Sequence, residues 1–90
     1  METHFVPKSS RTNTPFSTYQ MIGIAEGFEE CNNHEVQIEA WASIGQKGLY
    51  RGLQGFFGRT LQRFIDEEIL FDDFTINWDM VDEMAIYGGD

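Results

Sequence analysis

The most constraining feature of the sequence is a mostly apolar run with helical spacing in residues 49–65. Its positions recur at intervals of three and four residues, so they fall on one side of an α-helix. The stripe consists of Leu49, Leu53, Phe56, Phe57, Thr60, Leu61, Phe64 and Ile65. Because so wide an apolar stripe must be buried against another element, the spacing predicts an amphipathic helix that spans residues 49–65 and packs in a core.

Two further helices are predicted upstream of this stripe. Ser17 or Thr18 could cap a first helix, and Asn32 or Asn33 could cap a second helix over residues 33–46. The apolar face of the first helix consists of Met21, Ile22, Ala25 and Phe28. The second helix carries Ile38, Trp41, Ala42 and Gly45 on one stripe. A short turn between the second and third helices favours a hydrophobic seam between them.

The C-terminal segment fits two structures. Apolar and polar residues alternate over residues 73–80, which is a strand pattern. Asn77, however, could cap a helix that Gly88 and Gly89 would end. Because a strand without a partner is not stable, we favour the helix and keep a single short strand near 73–80 as the alternative.

The fold class predicted is mostly α: a small three- to four-helix domain with a flexible N-terminal arm. The chain has 90 residues, enough for one domain, which we place at residues 16–90. The arm, residues 1–15, is polar and contains two prolines, so we expect it to be dispensable for folding. The predicted core consists of Ile22, Phe28, Ile38, Trp41, Leu49, Leu53, Phe57, Leu61, Phe64 and Ile65.

Charge is distributed unevenly along the chain. The net charge is −9, and residues 66–90 contain nine acids and no base. Residues 40–63 contain four bases and no acid. A field of this sign attracts basic partners and repels nucleic acid, although an acidic surface also simply keeps a small protein soluble.

Two sets of residues are candidate binding surfaces. The first is the acidic set, Asp72, Asp73, Asp79, Asp82 and Glu83, which would meet a basic site on a partner protein. The second is the glycine–arginine face, Gln54, Gly55, Gly58, Arg59 and Arg63, where small residues expose backbone beside two guanidinium groups. Small residues on a helix also permit close packing, so this face has a purely structural interpretation as well.

The sequence contains none of the motifs that we would require for catalysis, and we expect a protein that is not an enzyme. Its two histidines and single cysteine have no zinc spacing, and the acids from Asp73 onward lack the glycine and glutamate of a calcium loop, so we expect no metal and no cofactor. No apolar run reaches the ~20 residues of a membrane span. The lone Cys31 and the absence of an apolar leader favour a reducing cytoplasm.

Two stretches resemble a family of short phage-encoded proteins. They are Ile38-Glu39-Ala40-Trp41, which matches the family's "EAW" helix, and Leu53-Gln54-Gly55-Phe56-Phe57-Gly58-Arg59-Thr60, which matches its "LQGWFGRT"-like helix. The resemblance covers about a third of the chain and implies a viral origin and a helical hairpin, but no chemistry. The turn of residues 45–48 and the acidic tail depart from the family pattern.

The function expected is therefore binding: a small acidic phage protein that inhibits or redirects a host protein in the host cytoplasm, by nucleic-acid mimicry in its sharpest form. One alternative is a nucleic-acid module that uses the glycines, Lys47 and the arginines of residues 45–63, although nucleic acid is a less favoured partner for so acidic a chain. The other alternative is a structural or oligomeric phage component. Self-association stays open.

Overall fold

The computed structural model describes residues 4–27 and 33–88. Within these residues the chain is mostly helical, as predicted, with four α-helices and one short 3-10 helix. The elements are α1 (Thr18–Glu26), α2 (His34–Gln46), the 3-10 helix (Leu49–Gly52), α3 (Gly55–Asp66) and α4 (Trp78–Gly88). Two isolated antiparallel bridges join Phe5 to Phe16 and Leu70 to Ile76.

The first two helices begin at predicted capping residues. The Ser17 hydroxyl accepts a hydrogen bond from the Gln20 backbone N–H, and the Gln20 side chain accepts one from the Ser17 N–H. This reciprocal pair is a capping box. The side-chain oxygen of Asn33 accepts from the backbone N–H groups of Glu35 and Val36, so Asn33 caps α2.

The single helix predicted over residues 49–65 is wrong in its first third. Leu49–Gly52 forms a 3-10 helix, Leu53 is extended with φ −107° and ψ 177°, and α3 begins only at Gly55. Gly52 and Gly55 lie on either side of the non-helical residues 53–54, and each glycine weakens an α-helix by roughly 1 kcal/mol relative to alanine. The chain therefore leaves helical geometry there at little cost.

The helix favoured for the C-terminal segment is confirmed as α4, and the strand pattern survives only as a bridge. Residues 69–77 form a tight hairpin in which Leu70 pairs with Ile76. The Phe71 N–H donates to the Thr75 carbonyl at 2.8 Å. Helix α4 then begins at Trp78, directly after the hairpin.

The core is organised around Trp41, as the predicted seam between α2 and α3 requires. The Trp41 ring centroid lies 5.8 Å from that of Phe57 and 5.7 Å from that of Phe64. Of the predicted core, four residues are buried: Ile38, Trp41, Phe57 and Leu61. Five are partly buried against them: Ile22, Leu49, Leu53, Phe64 and Ile65. Phe28 lies outside the described residues. Further buried residues lie outside the predicted core set: Phe16, Met21, Ile44, Ile69, Leu70, Ile76 and Val81.

The described part of the arm is irregular, and it packs on the helices. Phe5 exchanges two backbone hydrogen bonds with Phe16, at 2.8 and 2.9 Å. The Gln46 side chain accepts from the Lys8 N–H at 2.7 Å and donates to the Lys8 carbonyl at 3.1 Å. The predicted boundary at residue 16 is therefore corrected, because the packed domain includes the arm from Phe5 onward.

A buried carboxylate holds the middle of the arm. Glu39, on α2, is 0% exposed, and its Oε2 accepts hydrogen bonds from the backbone N–H groups of Arg11 and Thr12, both at 2.9 Å. Its Oε1 accepts from the Ser10 hydroxyl at 2.6 Å and from the Thr12 hydroxyl at 2.9 Å. Because a carboxylate only accepts, these four donors match it and offset the cost of its burial. We call this set of contacts the Glu39 clasp.

Two phenylalanines offer a matched test of the core. Phe57 is 1% exposed and Phe71 is 53% exposed. Phe57→Ala should lower the free energy of unfolding by about 3–5 kcal/mol, because it leaves a cavity against Trp41. Phe71→Ala should change it by less than about 1 kcal/mol. Urea unfolding measures both, and equal losses would contradict the seam.

Substitutions at Glu39 should separate its hydrogen bonds from its charge. Glu39→Ala strands two N–H groups and two hydroxyls, and should cost about 3 kcal/mol or more. Glu39→Gln should cost less, roughly 1–2 kcal/mol, because its amide can donate to the two hydroxyls while its oxygen still accepts from the N–H groups.

The exposed Glu67 provides the control, since Glu67→Ala should change the unfolding free energy by no more than about 0.5 kcal/mol. Deleting residues 2–15 should destabilise the domain at least as much as Glu39→Ala, since it removes the clasp together with the bonds of Phe5, Lys8 and Arg11 to the rest of the domain. A deletion variant as stable as the full chain would restore the sequence-based expectation that the arm is dispensable.

Candidate functional site

The acidic set predicted from the sequence divides into residues with internal partners and residues without them. Asp82, on α4, accepts two hydrogen bonds from the Arg11 guanidinium, at 2.7 and 3.1 Å. Arg11 also bonds the Glu35 carboxylate on α2 and lies 4.2 Å from the centre of the Trp78 ring. These contacts, with Asp82 first, raise the pKa of Arg11, and Arg11 in turn lowers the pKa of Asp82. Asp82 therefore fastens the arm to α4.

Asp73 also has a local role, in the hairpin. Its Oδ1 accepts hydrogen bonds from the Thr75 hydroxyl at 2.6 Å and from the Thr75 N–H at 3.0 Å. The hydroxyl and then the N–H lower the pKa of Asp73. This is an Asx-type turn, a recurrent use of aspartate in tight loops.

The other three predicted acids are exposed and unpartnered. The side chains of Asp72, Asp79 and Glu83 form no hydrogen bond or ion pair with any residue that the structure describes. Glu68, which the sequence analysis did not select, is exposed and shares this property. Asp79 and Glu83 are four residues apart on α4, so they lie on one helix face.

Glu68 and Asp72 lie on a groove beside the hairpin. The groove has a volume of about 590 Å³ and is lined by Ile65, Glu68, Leu70, Phe71, Asp72, Asp73, Thr75 and Asn77. We call it the acidic groove. Phe71, the one aromatic residue among those that line it, is 53% exposed. A half-exposed phenyl ring among carboxylates was not predicted, because the alternation over 73–80 begins only after Phe71.

Glu68 occupies a backbone conformation that favours glycine. Its φ is 65°, and it follows the last turn of α3, where the Ile69 N–H donates to the Phe64 carbonyl at 2.8 Å. Helices often end in this way, usually with glycine at the left-handed position. A glutamate costs roughly 1 kcal/mol there. The Asn77 side chain holds the strained residue by donating to its carbonyl at 3.0 Å.

The glycine–arginine face lies along α3. The space that a Cβ of Gly55 would occupy lies 2.9 Å from the Arg59 guanidinium, so Arg59 folds back over its own helix. A Cβ at Gly58 would lie 3.8 Å from the Tyr50 ring. Arg63 approaches Glu67 at 3.9 Å, and the Gln54 side chain, at the start of α3, forms no capping bond. The two glycines thus lie beside side chains of the same domain, while both arginine residues are exposed.

A third surface combines Lys47 and Arg51 with Lys8 of the arm. The three bases border a cleft of about 520 Å³ that the Phe5, Tyr50 and Phe74 rings also line. We call these three bases and three rings the basic cleft. Asp73 of the hairpin lines the same cleft, so one carboxylate lies among its bases. The sequence indicated the positive block at 40–63, but it gave no sign that the arm would add Lys8 to it.

Comparison of the chain with protein-family models, with curated proteins and with solved structures gives no match. The resemblance to a phage family therefore stays a prediction. No helix among the described residues is long and apolar enough to cross a membrane. No three His, Cys, Asp or Glu side chains within residues 4–27 and 33–88 are grouped so that they could hold a metal ion.

The ion pair of Asp82 should make stability depend on pH. Because its pKa is lowered in the folded state, its contribution is present above the ordinary aspartate pKa of about 3.9 and is lost as the pH falls below it. Asp82→Asn should lower the Tm at pH 7, and the difference from the parent should shrink at pH 3. Asp79→Asn, which removes an unpartnered acid, should change the Tm little at pH 7. A loss for Asp82→Asn that is the same at both pH values would contradict this role.

Proposed function

We propose that this chain acts by binding a protein with a basic surface, and that the acidic groove is the centre of its contact. The single observation that carries the proposal is the exposed Phe71 ring beside the unpartnered carboxylates of Glu68 and Asp72. Protein interfaces concentrate their binding energy in aromatic anchors surrounded by polar groups. Asp79 and Glu83 on α4 are two further exposed carboxylates.

The rigidity of the hairpin supports the proposal. Phe71 has its backbone N–H bonded to Thr75, and the Asp73 side chain fixes the same turn. A turn whose backbone is already held in place loses little conformational entropy when a partner binds. The strain at Glu68 also supports the proposal. A glycine would fit this backbone conformation better, so the reason for a glutamate here is its carboxylate side chain.

The net charge of −9 favours a partner with a positively charged surface. Complementary fields accelerate association and make it sensitive to salt. We propose, on the resemblance to phage proteins, that the partner is a host protein in the host cytoplasm, and that the carboxylates occupy a site that otherwise holds nucleic-acid phosphates. Inhibition or redirection of that host protein would follow from occupancy of its basic site.

The proposal is tested by capture from a bacterial lysate with the full chain immobilised. Three variants each remove one ring or carboxylate from the acidic groove: Phe71→Ala, Asp72→Asn and Glu68→Gly. The partner retained by the parent should carry a basic surface, and Phe71→Ala should weaken its binding about 30-fold, the value of a 2 kcal/mol hot spot. Glu68→Gly should weaken binding while leaving the domain as stable or more stable, because it relieves the left-handed strain.

The matched control is Arg59→Gln with Arg63→Gln, which changes two exposed charges on α3 and should leave capture unchanged. Capture that depends on these arginines, and not on the acidic groove, would overturn the proposal in favour of the glycine–arginine face. A gel shift with DNA or RNA that disappears with the arginines would favour the nucleic-acid module instead. Self-association without a captured partner would favour a structural component.

A further inference from the structure

The basic cleft brings together half of the bases of an acidic protein. Lys8 comes from the arm, Lys47 from the end of α2 and Arg51 from the 3-10 helix. The chain has six bases against fifteen acids. None of these three side chains forms an ion pair within the described part of the chain, where Arg11 and Arg63 do. Asp73 is the one acidic residue that lines the cleft, so three positive charges converge there against a single negative charge, and the excess leaves a site for an anion.

Aromatic rings lie among these charges. The Lys47 Nζ lies 5.2 Å from the centre of the Phe5 ring, and the Arg51 guanidinium lies 5.7 Å from the centre of the Tyr50 ring. The Tyr50 and Phe74 centroids are 5.6 Å apart. The three rings are partly buried, so they keep some surface accessible to a ligand. A site with cations and accessible rings suits a ligand that joins a phosphate to a planar base.

The two walls of the cleft are fixed to each other. Gln46 forms two hydrogen bonds with the Lys8 backbone and donates a third, at 2.9 Å, to the Phe74 carbonyl. Phe74 packs on Gly45 so closely that a Cβ there would lie 2.5 Å from the ring. One glutamine thus joins the arm to the hairpin, and the cleft is formed before any ligand arrives.

The charge of the whole protein limits the size of the ligand. Fields are screened over about 8 Å at physiological salt, so a small anion in the cleft responds mainly to the charges that line it, which are three bases and the single acid Asp73. A nucleic-acid strand would extend beyond the cleft along a molecule of 40 × 23 × 23 Å and meet its acidic remainder. The first glycine of the Gly45-Gln46-Lys47-Gly48 turn is also buried beneath Phe74, so this turn cannot clamp a nucleic-acid backbone as a KH loop does.

We propose that the basic cleft binds a nucleoside monophosphate, with its phosphate among Lys8, Lys47 and Arg51 and its base against the partly buried rings. This site shares Asp73 with the acidic groove, but it does not depend on the function proposed for that groove.

Calorimetric titration of the full chain with the four ribonucleoside monophosphates tests the proposal. At least one should bind with a Kd below ~1 mM. Inorganic phosphate and the matching nucleoside, as separate probes, should each bind at least about tenfold more weakly, since each makes only part of the contacts.

Two double variants locate the site. Lys47→Gln with Arg51→Gln should weaken binding of the nucleotide about tenfold or more, because it removes two charge-assisted contacts. Arg59→Gln with Arg63→Gln removes the same charge outside the cleft and should leave the Kd within about twofold. Both residues of the first variant are exposed, so its Tm should match that of the parent.

Four results would overturn the proposal. They are the absence of binding by all four nucleotides, equal affinity for inorganic phosphate, an unchanged Kd in the Lys47 and Arg51 variant, and binding of a single-stranded oligonucleotide more tightly than any monophosphate. The last result would assign the cleft to nucleic acid.

Discussion

The Glu39 clasp is the contact on which the rest of the structure depends. A carboxylate that is 0% exposed must find donors, and its four donors all come from residues 10–12 of the arm. Once this segment is fixed on α2, Arg11 binds Asp82 on α4. The Lys8 backbone then bonds Gln46, at the end of α2. One buried charge thus positions an ion pair and a wall of the basic cleft.

The fixed arm also determines which acids of residues 66–90 have a partner within the domain. Nine acids without a base in residues 66–90 look like a uniform surface in the sequence. In the folded chain, Arg11 pairs with Asp82, and Thr75 donates hydrogen bonds to Asp73. The side chains of Glu68 and Asp72 have no partner among the residues that the structure describes. The acids available to a partner protein are therefore the ones that form no hydrogen bond or ion pair within the described part of the domain. The sequence alone does not distinguish these acids from the ones with internal partners.

Local rules predicted what local contacts determine. The caps at Ser17 and Asn33, the α2–α3 seam and helix α4 follow from periodicity and from bonds between near neighbours in the chain. The arm could not be predicted, because its bonds to Glu39 span 27 to 29 residues and use backbone N–H groups that every sequence has. Glu39 itself lies among apolar residues of the "EAW" stretch, but helical periodicity does not tell a buried glutamate from an exposed one. The sequence identified most of the acids of the candidate site, but it could not tell which of them bind partners within the domain and which stay available.

The hairpin decides which aromatic ring is available to a partner. Phe71 and Phe74 are three residues apart, yet only Phe71 is exposed. Phe74 takes φ 66°, which turns the chain after the Asp72–Asp73 corner and sends its ring onto Gly45. This contact requires the missing side chain of Gly45, because a Cβ there would lie 2.5 Å from the Phe74 ring. With Phe74 held, the hairpin leaves Phe71 exposed and also lines the basic cleft, so a single glycine in α2 supports both surfaces.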